Sequence, residues 1–209
     1  TLNSVLFPPD HLRNAPPIFS DLRRVFPPTT GRHVVGPMVQ LRWGSPTLLT
    51  LDLALLIELP APIRVVVLGR LQVLLPDQSH PLVQIRMDAL GVLDVSAETV
   101  SLDATLYDSR ILQFTLTGDM ALRAGWGRQP QFVLAIGGFH PRFAAPPGLP
   151  ALKRLALQLA DGDSLQLRCQ AYVAVTSNTV QFGARVDLHA AGGGFSFDGM
   201  LGFDAIIQL

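Results

Sequence analysis

The side chains able to do chemistry are few and dispersed. Histidines stand at His11, His33, His80, His140 and His189. A zinc or iron centre usually draws ligands from pairs at i,i+2 on a strand or i,i+4 on a helix, and no two of these histidines have either spacing. Asp161-Gly162-Asp163 sets two carboxylates around a glycine, as calcium loops do. The longer ligand pattern is missing, and the tripeptide has the composition of a hairpin turn. Gly194-Phe195-Ser196-Phe197-Asp198-Gly199 lacks the Gly-x-Ser-x-Gly spacing that lifts a nucleophilic serine onto a strand-to-helix elbow. Gly137-Gly138 and Gly192-Gly193-Gly194 have alternating runs on both sides, so neither opens the helix that a phosphate loop requires. Cys169, the single cysteine, lies between Leu167 and Ala171 in the apolar phase of its run and reads as a small buried hydrophobe. One cysteine allows no internal disulfide and no four-thiolate zinc site. No catalytic, metal-binding or cofactor-binding residue is assigned on this reading, and no cofactor.

The elements that would have to position any site are strands. From Met38 to the C-terminus the apolar residues recur at every second position. Leu49, Leu51, Leu53, Leu55 and Ile57 open the pattern, and Val65, Val67, Leu71 and Val73 repeat it. It continues through Val100, Leu102, Ala104 and Leu106, then Leu112, Phe114 and Leu116, and ends with Phe195, Phe197, Leu201 and Phe203. A period of two is the mark of a pleated strand with one apolar face. Short links with Gly, Asp or Asn at their tips, such as Asp161-Gly162-Asp163, join the runs as hairpins, so about ten strands form an antiparallel meander. Several runs are about twice the usual strand length of about 5–6 residues. The expected fold is all-β, a long-stranded antiparallel meander in a strongly twisted or curled sheet, an open barrel or a groove, with less than about one-tenth helix. The second face is only half polar, because Val66, Leu68, Leu74, Leu90, Val92 and Val133 lie among its Arg, Gln and Thr. Part of that face must therefore also be covered.

Residues 1–37 differ in composition. Phe7-Pro8-Pro9, Ala15-Pro16-Pro17, Phe26-Pro27-Pro28 and Gly36-Pro37 confine regular structure to short pieces, with one or two helical turns between Ile18 and Phe26. This stretch reads as a Pro-rich N-terminal strap laying Phe7, Ile18, Phe19 and Phe26 on a larger surface. The division is thus 1–37, the strap, and 38–209, the meander domain. The last run still alternates at Leu209 and the chain opens at Thr1, so the sequence reads as a piece of a longer polypeptide continuing past this stretch.

Charge and composition remove some functions. Sixteen basic residues balance sixteen acidic ones, which leaves no field to gather nucleic acid. The longest apolar stretch, Leu48 to Leu75, is broken by Asp52, Glu58, Pro60, Arg64 and Arg70, so no helix of about 20 apolar residues can span a membrane. Two Trp and two Tyr cannot supply the aromatic girdles of an outer-membrane barrel. Lys153 is the only lysine among many arginines, a usage that fits a GC-rich bacterial coding sequence. The compartment is not legible.

Four phrases carry a resemblance: Gly137 to Arg142 (Gly-Gly-Phe-His-Pro-Arg), Thr176 to Ala184, Leu201 to Ala205, and Thr105 to Arg110. From about Arg86 to the end the chain resembles a family of long bacterial proteins described only as a domain of unknown function. That resemblance implies a piece of a larger β-rich protein and supplies no activity. In this setting Asn178 suits a turn with positive φ, and His140 and Arg142 suit a clamp pinning the Pro141 to Pro150 loop to the sheet. In architecture alone the chain is similar to bacterial bridge-like lipid-transfer proteins, whose meanders curl into apolar grooves. Three classes of function follow. The first is a non-enzymatic structural or scaffold module of a larger protein or assembly. The alternative is a groove-forming module that binds or transfers lipid or another apolar ligand. An enzyme is the least supported, because converging polar groups are not visible. Expected partners are the remainder of the same chain, or another copy, pairing along the Phe195 to Leu209 edge, and a lipid or other apolar ligand.

Overall fold

A computed structural model describes residues 30–60, 63–128 and 130–209. The helical turn expected between Ile18 and Phe26, and the strap residues Phe7, Ile18, Phe19 and Phe26, lie outside the described residues, as does His11. The described residues contain no helix. They form β1 (His33–Val35), β2 (Met38–Trp43), β3 (Leu49–Leu59), β4 (Arg64–Leu75), β5 (Val83–Asp94), β6 (Thr99–Leu106) and β7 (Ser109–Ile111). There follow β8 (Phe114–Thr117), β9 (Asp119–Gly125), β10 (Gln131–Ile136), β11 (Leu155–Asp161), β12 (Leu165–Thr176), β13 (Thr179–Gly192) and β14 (Phe195–Gln208). All belong to one sheet, and every pairing is antiparallel.

The fourteen strands occupy ten positions, because four consecutive pairs lie end to end. β1 and β2 both run along β3 in one register, His33 opposite Leu59 and Met38 opposite Ala54. β6 and β7 both run along β5, with a one-residue offset at Tyr107-Asp108, where Asp108 has φ +42. β8 and β9 run along that composite strand in one continuous phase, Phe114, Leu116, Met120 and Leu122 all on one face. β10 and β11 both run along β12. The result is an up-and-down meander, β1/β2–β3–β4–β5–β6/β7–β9/β8–β10/β11–β12–β13–β14, as the period of two requires. His33–Val35, which composition groups with the strap, forms its outer edge with β2.

Residues opposite one another in an antiparallel pair share a face, so the register assigns every side chain to one side. One face carries Leu53, Gly69, Ala89, Ala104, Met120 and Ile136 as successive neighbours, then Val173, Phe182 and Ala205. The other carries charged rows. In one of them Gln40, Asp52, Arg70, Asp88, Thr105 and Asp119 stand side by side. Gln40 Nε2 donates to Asp52 Oδ1 at 2.6 Å, Arg70 Nε to Asp88 Oδ1 at 3.1 Å, and Thr105 Oγ1 to Asp119 Oδ1 at 2.6 Å. Arg64 pairs with Asp94 in a second row, and Arg123 grips Asp103 through both terminal nitrogens. Exposed pairs of this kind contribute only about 0–1 kcal/mol each. Their effect is on register, because slipping one strand by two residues leaves the faces unchanged but misaligns each row.

The burial reverses what alternation alone suggests. Ala54, Leu56, Val66 and Leu68 form the buried cluster, with Leu90 and Val92 packed against it, and all six belong to the mixed, charge-bearing face. Ala121, Val133, Ala135, Tyr172 and Ala174 are buried on the same side. The uniformly apolar side is half-buried along most of β3 to β6, with Ala104 at 5%, and exposed at Val173 (48%) and along β14, an edge strand exposed on both faces (Leu201 77%, Met200 64%). Leu68→Ala should therefore lower the unfolding free energy by about 2–5 kcal/mol, as for a buried leucine. Leu201→Ser, at a residue of equal apolarity in the stronger alternating phase, should stay within about 0.5 kcal/mol of the parent in urea denaturation.

Candidate functional site

The uniformly apolar face is the largest built feature of the molecule. Its side chains come from all ten strand positions, beginning with Val39 and Leu41 on β2 and ending with Phe203, Ala205 and Ile207 on β14. No charged side chain lies on it between β3 and β14. The register places one hydroxyl there, that of Ser109, and it is turned inward: Ser109 is 2% exposed, donates to Arg86 O at 3.0 Å and accepts from Arg86 N at 2.9 Å. Its Oγ thus satisfies the backbone beside the Tyr107-Asp108 offset and leaves the face dry of polar groups. Cys169 lies on the face between Leu157 and Val186. Small residues Gly69, Ala89 and Ala104 adjoin one another across β4, β5 and β6, with larger side chains on both sides: Leu71, Met87 and Leu106 in one row, Val67 and Leu102 in the other. Leu53 and Met120 close this short row at its two ends, and Gly91 stands beside it between Val67 and Leu102.

The opposite face is held by the chain's one long excursion. β10 ends opposite Val173 at Ile136, and the same strand position resumes opposite Ala171 at Leu155. The intervening residues leave the sheet opposite Tyr172 and return there. Departure needs a glycine: Gly137 has φ +71, and a Cβ on it would stand 2.5 Å from Ala171 O and 2.7 Å from Leu155 N. Arg154 closes the loop by donating from Nη1 to Gly137 O at 3.0 Å and from Nη2 to Phe139 O at 2.8 Å, while its guanidinium lies 4.0 Å above the Tyr172 ring. Tyr172 crosses Gly183 on the neighbouring strand and donates to Asp204 Oδ1 at 2.9 Å, one strand further. Any side chain at Gly183 would collide, its Cβ 2.5 Å from Tyr172 Cε1 and 2.6 Å from Asp204 Oδ1. Gln181, fully buried, accepts from His140 N at 3.0 Å and donates to Thr179 Oγ1 at 2.9 Å. The loop is thereby tied to β12 and β13 directly, and through Tyr172 to β14. A cavity of about 460 Å³ lies between its Pro150–Lys153 end and Leu68, Leu90 and Asp103 of the sheet.

Sequence reasoning singled out His140 and Arg142 as the clamp. His140 takes part: its Nδ1 accepts from Arg142 N at 3.1 Å, and its own amide meets Gln181. The Arg142 guanidinium is exposed and has no hydrogen-bond or ion-pair partner among the described residues. Arg154, Tyr172, Gln181 and Asp204 were missed. The legible signal was Gly183, a strand-interior glycine that the register sets opposite a tyrosine. Asn178 is also corrected, since it has no positive φ; Thr176 Oγ1 makes that turn instead, accepting from Asn178 N at 3.3 Å and Thr179 N at 3.0 Å.

The polar groups do not assemble into a reaction centre. No group of three His, Cys, Asp or Glu among the described residues is placed to hold a metal ion. His189 Nδ1 lies 2.6 Å from Asp198 Oδ1 on the exposed end of β13–β14, a pair with no hydroxyl or thiol in contact. Gly162 closes the Asp161-Gly162-Asp163 hairpin through its N–H on Leu165 O at 2.9 Å. Burial, together with the hydrogen bond to Asp204 and its negative charge, pushes the Tyr172 hydroxyl up from 10.0 to about 12 against the opposing pull of Arg154. Tyr107, raised chiefly by burial, moves the same way.

Comparison with known proteins gives one match. A family model described as a family of unknown function (DUF6603) covers residues 1–209. No curated protein and no solved structure matches.

The clamp can be tested in two ways. Gly183→Ala and Arg154→Ala should each destabilise by about 1–3 kcal/mol, through collision with Tyr172 and loss of two carbonyl partners respectively, whereas Arg142→Ala should change stability by less than about 0.5 kcal/mol. Because folding raises the Tyr172 pKa, its contribution is complete below pH 10 and is lost as pH climbs towards 12. Absorbance titration at the phenolate band of a Tyr107→Phe variant should show a single midpoint near 12 in the folded protein, and a midpoint near 10 would break the account.

Proposed function

The chain belongs to the DUF6603 family of unknown function, and we propose from its geometry that it is a platform for apolar ligands, a segment of sheet whose uncharged face holds the alkyl chains of lipids. The observation that carries this reading is the separation of the two faces. One side bears the ion pairs and carries a tied loop near its centre; the other has no charged side chain from β3 to β14 and is partly exposed along most of that width. Soluble monomers rarely expose a contiguous apolar patch of more than a few hundred Å² unless something binds there. Ten strand positions at about 4.8 Å spacing make a face about 43 Å across, long enough for an extended alkyl chain to lie across the strands.

The energetics suit a chain that slides rather than one locked in place. Full burial of a methylene contributes about 0.8 kcal/mol. A chain resting on one face, with its other side open, gains about half of that per methylene, and it meets no polar group that would fix its position. Binding would then scale with alkyl length and be insensitive to headgroup. The structural-scaffold reading rests on a different observation, the two exposed sheet edges, and is compatible with this one.

The test is extraction of a fluorescent phospholipid from vesicles, followed by co-migration with the protein on a native gel. The parent should carry the label, with more retained as the acyl chain lengthens. Val67→Asp and Leu122→Asp, on the open face, should remove it while leaving the strand spectrum unchanged. No label on the parent, or label unaffected by either aspartate, would defeat the proposal.

A further inference from the structure

The two edges of the sheet, β1/β2 and β14, are exposed along their whole length. We infer that they are complementary to each other, and that a second copy of this chain adds its β1/β2 edge to β14 in the same orientation, extending the sheet head to tail. Three linked conditions must hold for such a junction, and the even number of in-phase strand positions satisfies them together.

Direction is the first. The meander has an even number of strand positions, so β1/β2 and β14 run opposite ways. A copy placed beyond β14 without inversion therefore presents an antiparallel neighbour. The second condition is the phase of the hydrogen bonds. Leu55 N donates to Pro37 O at 3.0 Å, so the odd residues of β2 turn their amides towards β3 and the even ones outward. Leu209 N donates to Asn178 O at 2.8 Å, so β14 likewise spends its odd amides on β13 and leaves Ser196, Asp198, Met200 and the other even residues facing out. Neither outward row contains a proline, because Pro37 falls in the inward phase. The third condition is the face. Residues hydrogen-bonded across a junction lie on one side of the sheet, and the outward residues of both edges belong to the charge-bearing side. The junction thus carries the apolar face through unbroken.

The register that sets Arg42 against Asp198 pairs all of His33–Trp43 with Phe197–Ile207. It puts Arg42 opposite Asp198, Trp43 opposite Phe197, Val39 opposite Leu201 and Val35 opposite Ala205. Arg42 lies against no acidic group within its own copy, and Asp198 is 77% exposed. Natural edges are commonly protected by proline, lysine or a bulge in the outward row; these two have none. The inference concerns the protein without ligand and stands apart from the lipid reading.

Sedimentation velocity of the whole chain tests it. The parent should form species that lengthen with concentration, beyond a dimer. Met200→Pro and Met38→Pro each remove one outward donor and no internal bond, and each should reduce the protein to a monomer. Mixed together, the two variants retain one compatible edge each and should form a heterodimer that grows no further. Should either proline variant lose its strand spectrum, charge decides instead: Arg42→Asp should weaken assembly and Arg42→Asp with Asp198→Arg should restore it. A parent that stays monomeric at every concentration overturns the inference. So does a Met38→Pro protein that remains dimeric, which would mean β14 pairs with β14 of an inverted copy, and so does a charge swap that restores nothing.

Discussion

Everything in this molecule depends on keeping the alternation of faces in phase across ten antiparallel strand positions. A slip of one residue anywhere would send an entire strand's leucines and valines to the charged side and its arginines and aspartates to the apolar one. The chain keeps phase even where it deviates. The extra residue at Tyr107-Asp108 is absorbed within its own strand position, so β7 continues the faces of β6 while β8 and β9 keep one phase through Gly118. Ser109 fills its hydrogen-bonding capacity on the backbone at that point. The excursion from Gly137 to Arg154 skips a single position opposite Tyr172, and the strand resumes in phase on its far side.

From that constraint follows the division of labour between the faces. Charged rows and cross-strand pairs on one side specify register at little net energy. The loop returns to that same side, where the buried alanines and valines lie, and is fastened by Arg154 over Tyr172 of β12 and by Gln181 of β13, with Tyr172 in turn held by Asp204 of β14. Nothing comparable fastens to the other face among the described residues. A large apolar surface is thereby held on a register-locked sheet, which is what a ligand platform needs and what a self-contained domain avoids. The same alternation, running undiminished to both edges, makes those edges compatible with each other.

The strand content, the antiparallel meander and the scarcity of helix in the body were legible from the period of two, because alternation over such long runs leaves few other solutions. Which face would be buried was not. Alternation marks the more apolar side of each strand, and an ordinary domain buries that side; here the mixed side holds Leu56, Val66 and Leu68 in the core, which is a matter of tertiary packing. The loop itself was recognisable from its prolines and from Gly137-Gly138. Its fasteners were not, because Arg154, Tyr172 and Asp204 are far apart in sequence and meet only through the register. Gly183 was the one sequence position that hinted at them.

The central claim, that the uncharged face is the open one, is tested most directly by hydroxyl-radical footprinting of the folded protein, resolved residue by residue. The account predicts rapid modification of Val173, Phe182, Leu201 and Phe203, and protection of Leu56, Val66, Leu68 and Tyr172 on the opposite side. The reverse pattern, with the first set protected and the second modified, would contradict it.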